Sequence, residues 1–177
     1  VLKLAANGDI QWQKAYGGND WEQAYSIHQT ADGGYIVAGS TESFGAGESD
    51  YWILKLDPNG NIEWQKAYGG SSWDEAHAVQ ETADGGYIVA GLTESFGAGN
   101  SDFWVLKLNA TGVIQWEKTY GGSFWDEAYA IQETADGGYV LAGYSESFGG
   151  YSWILKLTAN GAIERQKTIG GTRWIQA

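Results

Sequence analysis

A unit of 52 residues recurs through the chain and constrains its architecture more than any other feature. Residues 21–72 and 73–124 are identical at 33 of 52 positions, and a third copy begins at residue 125 and carries a three-residue deletion. The Leu-Lys-Leu triplets and the Gly-Gly pairs therefore recur at spacings of 52, 52 and 49 residues. A repeat of this length favours a propeller or a solenoid, in which each unit buries its apolar surface against the next.

Each unit divides into four predicted strands that are joined by glycine-rich turns. The first strand follows each Gly-Gly pair and ends at the tetrad Ala-Asp-Gly-Gly, as at residues 83–86. A polar, glycine-rich loop separates the second strand from the third, and a short turn such as Asn59-Gly60 separates the third from the fourth. The Asn-Gly dipeptide predicts a type I′ hairpin turn with positive φ at both residues. No segment has helical periodicity.

The two middle strands are apolar at adjacent positions, as in residues 87–89 and 103–106. Because neighbouring side chains of a strand point to opposite faces, both faces of each sheet need a cover, and the sequence offers no helix. Sheets stacked around an axis cover one another. We therefore predict an all-β fold, a β-propeller of four-stranded antiparallel blades with the first strand innermost and the polar fourth strand at the rim.

The repeat divides the chain into blades of one array. Residues 1–177 form a single β-propeller repeat array, and the predicted units are an incomplete blade at 1–20, full blades at 21–72, 73–124 and 125–171, and the start of a further blade at 172–177. Propellers typically close with four to eight blades. We expect either a partial ring, as a segment of a longer array, or a ring that another copy completes by self-association.

Charge and composition exclude several classes of partner. The formal net charge is -12, so binding to nucleic acid or to an anionic membrane is not expected, because both need clustered Lys and Arg. The chain has no cysteine, which excludes disulfides and thiolate chemistry. No apolar run approaches the roughly 20 residues of a membrane-spanning helix, so no membrane insertion is predicted.

Two sets of polar residues are candidates for binding metal ions or other cations. One set alternates around Gly60 as in part of a calcium loop, and consists of Asp57, Asn59, Asn61 and Glu63. A hairpin turn explains the same residues, because the other copies do not keep the pattern, so we expect no cofactor and keep calcium as the alternative. The second set would form a carboxylate ring or keep the glycine-rich loops solvated, and consists of Glu42, Glu94, Glu146, Asp50 and Asp102.

A third set pairs an indole with the carboxylate that follows it, just after each Gly-Gly turn. The pairs are Trp21 and Glu22, Trp73 and Asp74, and Trp125 and Asp126; the fourth copy has Trp174 followed by Ile175. An indole face beside an acceptor suits carbohydrate binding, with one shallow site per blade. The alternative is that each Trp is wedged between blades with its N–H satisfied internally.

An enzyme is not predicted from these residues. His28 and His77 occupy different positions of the repeat and have no repeated Ser or Cys partner, so the period assembles neither a nucleophile with its base nor a metal site of several histidines. A catalytic pair of carboxylates, as in a glycosidase, is not excluded by the sequence, because the distance between the two carboxylates depends on the fold.

The blocks DGGYIVAG, ESFGAG and W-[IV]-L-K-L resemble the tandem DGGY-type β-propeller-like repeats of secreted and surface proteins of bacteria and archaea. The resemblance covers the whole chain and implies an extracellular or cell-surface location, without a particular ligand. We therefore predict a non-catalytic extracellular scaffold for protein interaction or assembly, with surface proteins or glycans as partners. The alternatives are a multivalent lectin-like propeller and, more distantly, a fragment of a glycan-active enzyme.

Overall fold

A computed structural model of the chain describes residues 1–170 as fourteen β-strands and turns, with no helix in that range. No helix able to span a membrane occurs there either. The strands are β1 (Leu2–Leu4), β2 (Ile10–Gln13), β3 (Glu22–Gln29), β4 (Tyr35–Thr41), β5 (Asp50–Leu56), β6 (Ile62–Tyr68), β7 (Asp74–Glu81), β8 (Tyr87–Thr93), β9 (Asp102–Leu108), β10 (Ile114–Tyr120), β11 (Asp126–Glu133), β12 (Tyr139–Ser145), β13 (Tyr151–Leu157) and β14 (Ile163–Ile169).

The strands form one two-stranded sheet and three four-stranded antiparallel sheets, which are the blades of a β-propeller. The two-stranded sheet is β1-β2, and the first, second and third blades are β3-β4-β5-β6, β7-β8-β9-β10 and β11-β12-β13-β14. The fold predicted from the repeat is confirmed, because each full unit gives four consecutive antiparallel strands. The predicted further blade at 172–177, including Trp174, lies outside the described residues.

The hairpin turn between the third and fourth strands differs from the predicted type I′. Only Gly60 has a positive φ, of 74°, whereas Asn59 does not. The Gly60 N–H donates to the Asp57 carbonyl at 3.0 Å, and the Asp57 N–H donates to the Asn61 carbonyl at 2.8 Å. This is a type I turn followed by a left-handed glycine, a longer hairpin loop that needs one residue with positive φ instead of two.

The Asp-Gly turn between the first and second strands is fastened by a lysine of the third strand. The Lys55 ammonium donates to Asp32 Oδ2 at 2.7 Å and to Glu63 Oε2 at 2.9 Å. The Lys55 side chain is only 5% exposed, so its ammonium group is buried at the edge of the sheet beside the two carboxylates. Lys107 and Lys156 make the equivalent ion pairs with Asp84 and Asp136.

Stacking of the sheets forms the core, and the second blade has neighbours on both faces. One cluster joins Ile36, Ala38, Tyr51 and Ile53 of the first blade to Val89, Trp104, Leu106 and Leu108 of the second. Another joins Ile88, Ala90, Phe103 and Val105 of the second blade to Leu141, Trp153, Leu155 and Leu157 of the third. Every residue of β8 and β9 is consequently buried, as the adjacent apolar positions predicted.

Tyrosines of the outermost strands connect each blade to the turn of the next. Tyr68 of β6 donates its hydroxyl hydrogen to the Gly112 carbonyl at 2.6 Å, and Tyr120 of β10 donates to the Gly161 carbonyl at 2.6 Å. Tyr16, which follows β2, donates to the Gly60 carbonyl at 2.7 Å. We call these three contacts the tyrosine clamps.

The two ends of the stack leave apolar faces uncovered within residues 1–170. Leu2 and Leu4 of β1 are 53% and 50% exposed, although the corresponding Leu54 and Leu56 are buried. In the third blade, Ala142 is exposed and Ile154 is half-buried, although the corresponding residues of the second blade are buried. Each exposed set occupies the positions that are packed at an internal blade junction.

Candidate functional site

The loops that precede the first and third strands of the blades lie at one end of the sheets. This end carries all the predicted indole and carboxylate candidates except those around Gly60. We call it the Trp end and define it as residues 17–23, 40–50, 69–75, 92–102, 121–127 and 144–150. The opposite end, which holds the Asp-Gly and hairpin turns, is called the turn end.

The three indoles at the Trp end are exposed. Trp21, Trp73 and Trp125 are 74%, 40% and 39% exposed. The interpretation of these residues as wedges between blades is therefore wrong, because other tryptophans, such as the buried Trp104 and Trp153, fill that space. The exposed indoles are available to a ligand.

The carboxylates that follow two of these indoles are not available. Asp74 and Asp126 are fully buried, because successive side chains of a strand point to opposite faces. Asp74 Oδ2 accepts hydrogen bonds from the Gly70 N–H and the Ser95 hydroxyl. Their predicted role as ligand acceptors beside the indole is therefore corrected: these two side chains hold the loops in place.

Glu22, the third predicted partner, has a similar structural contact. It is half-buried, and its Oε1 accepts a hydrogen bond from the Thr41 hydroxyl at 3.1 Å. The contact joins β3 to β4 on the face opposite to Trp21. None of the three tryptophans therefore forms a site with the carboxylate that follows it in the sequence.

A different set of carboxylates meets the indoles in a cleft between the first and second blades. The cleft has a volume of about 100 Å³ and is lined by Trp21, Gln23, Ser40, Glu42, Trp73 and Glu75. The Trp21 carbonyl accepts a hydrogen bond from the Glu42 N–H at 2.9 Å, which places this pair side by side on neighbouring strands. Glu42 came from the carboxylate set proposed for the loops, whereas Gln23, Ser40 and Glu75 were not singled out in the sequence.

A polar and aromatic row on the innermost strands continues from Glu75. The Tyr25 hydroxyl donates to Gln23 Oε1 at 2.5 Å and lies 3.3 Å from Glu75 Oε2. His77 Nε2 also lies 3.3 Å from Glu75 Oε2. The His77 ring contacts Tyr25 edge-on, with centroids 5.2 Å apart, and stacks on Tyr129, with centroids 5.6 Å apart. Sequence comparison of the units could have found this row, since the three aromatic rings are 52 residues apart.

Buried carboxylates recur beneath the loops of the Trp end. Asp102 is 2% exposed, and burial, together with the charge of Asp126, raises its pKa to about 6, although the Ala98 N–H donates to it. Asp50 occupies the same position one unit earlier, and burial raises its pKa in the same direction. Thus Asp50 and Asp102, two members of the predicted carboxylate ring, face the interior and not a ligand.

The structure places the calcium candidates in a hairpin turn and does not bring all four together. Asp57 Oδ1 accepts from the backbone N–H groups of Asn59 and Asn61, each at 2.8 Å. Glu63 is directed away, to the Lys55 ammonium. A group of three or more Asp, Glu or His side chains arranged to hold a metal is not found within residues 1–170. Calcium binding there would have to replace the existing hydrogen bonds, and the expectation of no cofactor stays a prediction.

One of two comparisons with known proteins agrees with this architecture. A family described as "Domain of unknown function (DUF5122) beta-propeller" matches residues 30–63. The regulatory protein FlaEY of Caulobacter vibrioides is 28% identical to this chain in an alignment of 138 residues that covers 69% of this chain and 14% of FlaEY. The chain therefore spans a small part of that relative's length. The findings support a propeller-like repeat and leave its ligand open.

Proposed function

We propose that the chain is a non-catalytic repeat scaffold that works through assembly and protein interaction. The observation that carries this proposal is the pair of uncovered blade faces, Leu2 and Leu4 on one side and Ala142 and Ile154 on the other. Since the same positions are packed against each other at every internal junction, the two faces are complementary. Exposed apolar faces of this kind favour contact with another polypeptide surface.

The occupant of both faces is further repeat sequence, from a second copy or from a longer array. The contact is head to tail, because one face belongs to β1 and the other to the third blade, and such contacts produce rings when the rotation closes. We further propose an extracellular or cell-surface location, on the basis of the resemblance of the repeats to DGGY-type sequences.

Light scattering of the purified chain tests the assembly. We expect a particle larger than the 19.2 kDa monomer, and we expect Leu2→Glu with Leu4→Glu to shift it toward the monomer. Val113→Glu is the matched control, because Val113 is 53% exposed in a hairpin turn away from both faces. A wild-type chain that stays monomeric at every concentration would contradict the proposal.

A second candidate function is carbohydrate binding at the Trp end. The observation that favours it is the cleft in which Trp21 and Trp73 meet Glu42 and Glu75, since indole faces stack on sugar C–H groups and carboxylates accept from hydroxyls. A glycan array tests it: binding that is lost in Trp73→Ala, with an unchanged melting temperature, is the expected result. Binding to no glycan would remove this candidate.

A further inference from the structure

The negative charge of the chain is concentrated at the Trp end. This end holds 12 of the 22 acidic residues and none of the 10 Lys and Arg residues. The remainder of the chain has equal numbers of acidic and basic residues, so the whole formal charge of -12 belongs to one end of the blades. A face of one sign raises the local concentration of ligands of the opposite sign.

Within residues 1–170, no lysine or arginine forms a salt bridge with a carboxylate of the Trp end. Lys55 and Lys107 are held at the turn end by Asp32 and Asp84, with side chains that are 5% and 6% exposed. The carboxylates of the Trp end are therefore not paired with a lysine or arginine side chain of the described residues.

The two carboxylates of the cleft differ in their contacts, and Glu75 Oε2 lies 3.3 Å from both the Tyr25 hydroxyl and His77 Nε2. Glu42 is exposed and accepts no hydrogen bond from the described residues. The pKa of Glu94, which occupies the equivalent position in the second blade, is raised by burial and by the negative charges of Glu48, Asp74 and Glu75. Both observations are consistent with a surface that lacks a compensating cation.

The composition of the cleft suits a cationic side chain. Apart from Gln23 and Ser40, its lining consists of two indoles and two carboxylates, which attract ammonium and guanidinium groups. Its volume is about 100 Å³.

We propose that the Trp end binds a basic polypeptide segment, and that one Lys or Arg side chain enters the cleft between Trp21 and Trp73. Glu42 and Glu75 receive its charge, and the indoles cover its apolar stem. This inference goes beyond the scaffold function, which concerns the blade faces and not this end.

The repeat provides a second position for a cationic side chain of the same segment. Trp73, Glu75, Glu94, Trp125 and Glu127 stand one unit later than the first set, and Leu92 replaces Ser40. Two linked contacts raise the apparent affinity beyond that of either, because the second contact forms within the first complex. A segment with several basic residues should therefore bind more tightly than a segment with one.

Fluorescence anisotropy with a labelled peptide of alternating Arg and Gly-Ser tests the proposal, and the same peptide with Glu in place of Arg is the negative control. We expect binding of the Arg peptide, with about tenfold loss when the salt concentration is raised from 0.05 M to 0.5 M. Glu42→Gln should weaken binding about three- to fivefold. Glu117→Gln removes the same charge from exposed β10 and should leave binding unchanged.

Variants of Trp21 separate the indole contribution from the charge. Because Trp21 is 74% exposed, Trp21→Ala should keep the melting temperature and weaken binding at least fivefold, whereas Trp21→Phe should retain part of the affinity. Equal losses in Glu42→Gln and Glu117→Gln would mean attraction by net charge alone and would overturn the proposal. So would absence of peptide binding, or glycan binding without peptide binding. None of these three outcomes bears on assembly, which light scattering measures separately.

Discussion

The two glycines of each Ala-Asp-Gly-Gly tetrad are required for different physical reasons. Gly85 has a φ of 76°, in the left-handed region, and a Cβ there would meet no atom within 4 Å. Gly86 lies so close to the neighbouring strand that a Cβ would be 2.3 Å from the Leu108 carbonyl oxygen and 2.6 Å from Lys107 Nζ. The first glycine permits the turn, and the second makes room for the lysine that fastens it.

Alanine substitutions should therefore have unequal effects on the free energy of unfolding. Gly86→Ala should lower it by about 3 kcal/mol, because a backbone carbonyl cannot yield to the added methyl group. Gly85→Ala should lower it by about 1 kcal/mol, the cost of a left-handed alanine after its smaller loss of chain entropy. Urea unfolding of both variants measures the difference, and equal losses would contradict the close approach at Gly86.

At the scale of elements, the tyrosine clamps join a strand of one blade to a turn of the next. The Tyr68 hydroxyl donates to the Gly112 carbonyl, and burial raises its pKa further above neutral pH. A second contact joins a side chain of the second blade to a turn of the first: Glu81 Oε2 of β7 accepts a hydrogen bond from the Ala31 N–H at 2.7 Å. Each junction is thus held at the turn end by polar contacts as well as by the core.

Removal of one clamp should weaken the junction between the first and second blades. Tyr68→Phe leaves the Gly112 carbonyl without its donor, and we expect the free energy of unfolding to fall by about 1 to 2 kcal/mol. Tyr144→Phe is the control, because Tyr144 is exposed and its hydroxyl is 3.4 Å from Glu146, so its effect should stay within about 0.5 kcal/mol. A Tyr68→Phe variant as stable as the wild type in urea would show that the clamp adds nothing.

The extent of prediction from sequence also differs between elements and sites. The four strands per unit follow from glycine positions and adjacent apolar residues, which are local features. The carboxylates that lie beside Trp73 cannot be predicted from local sequence, because they belong to side chains of two blades that meet in a cleft. That Asp74 points away from Trp73 was predictable from strand alternation alone, whereas the approach of Glu42 from another blade required the packed structure.

For the whole molecule, two groups of carboxylates respond to pH in opposite directions. The hydrogen bond from Lys55, followed by that from Thr30, lowers the pKa of Asp32 to about 2. Because this pKa is below that of the unfolded chain, the stabilisation is present above about pH 4 and is lost as the pH falls toward 2. The pKa of Asp102 is raised to about 6, so its contribution is largest below about pH 4 and is lost as the pH rises to 6.

We therefore expect the free energy of unfolding to be highest between about pH 4 and pH 5. Asp102→Asn should remove a decline on the order of 1 kcal/mol between pH 4 and 6, because the amide does not ionise. Asp32→Asn should reduce the loss between pH 4 and 2, and Glu117→Gln should leave the profile unchanged. Thermal unfolding followed across pH 2 to 8 gives the measurement; stability that rises steadily from pH 4 to 7 would refute the assignment for Asp102.

The tyrosine clamps also give the stack a direction. The two-stranded sheet and the first two blades each donate one tyrosine hydroxyl to the following unit, through Tyr16, Tyr68 and Tyr120, so the order of these units cannot be reversed without losing all of these bonds. Ile169 stands at the same position in the third blade. A unit duplicated in the gene would meet a matching surface on either side. Such a protein lengthens or shortens by whole units while each joint keeps its original chemistry.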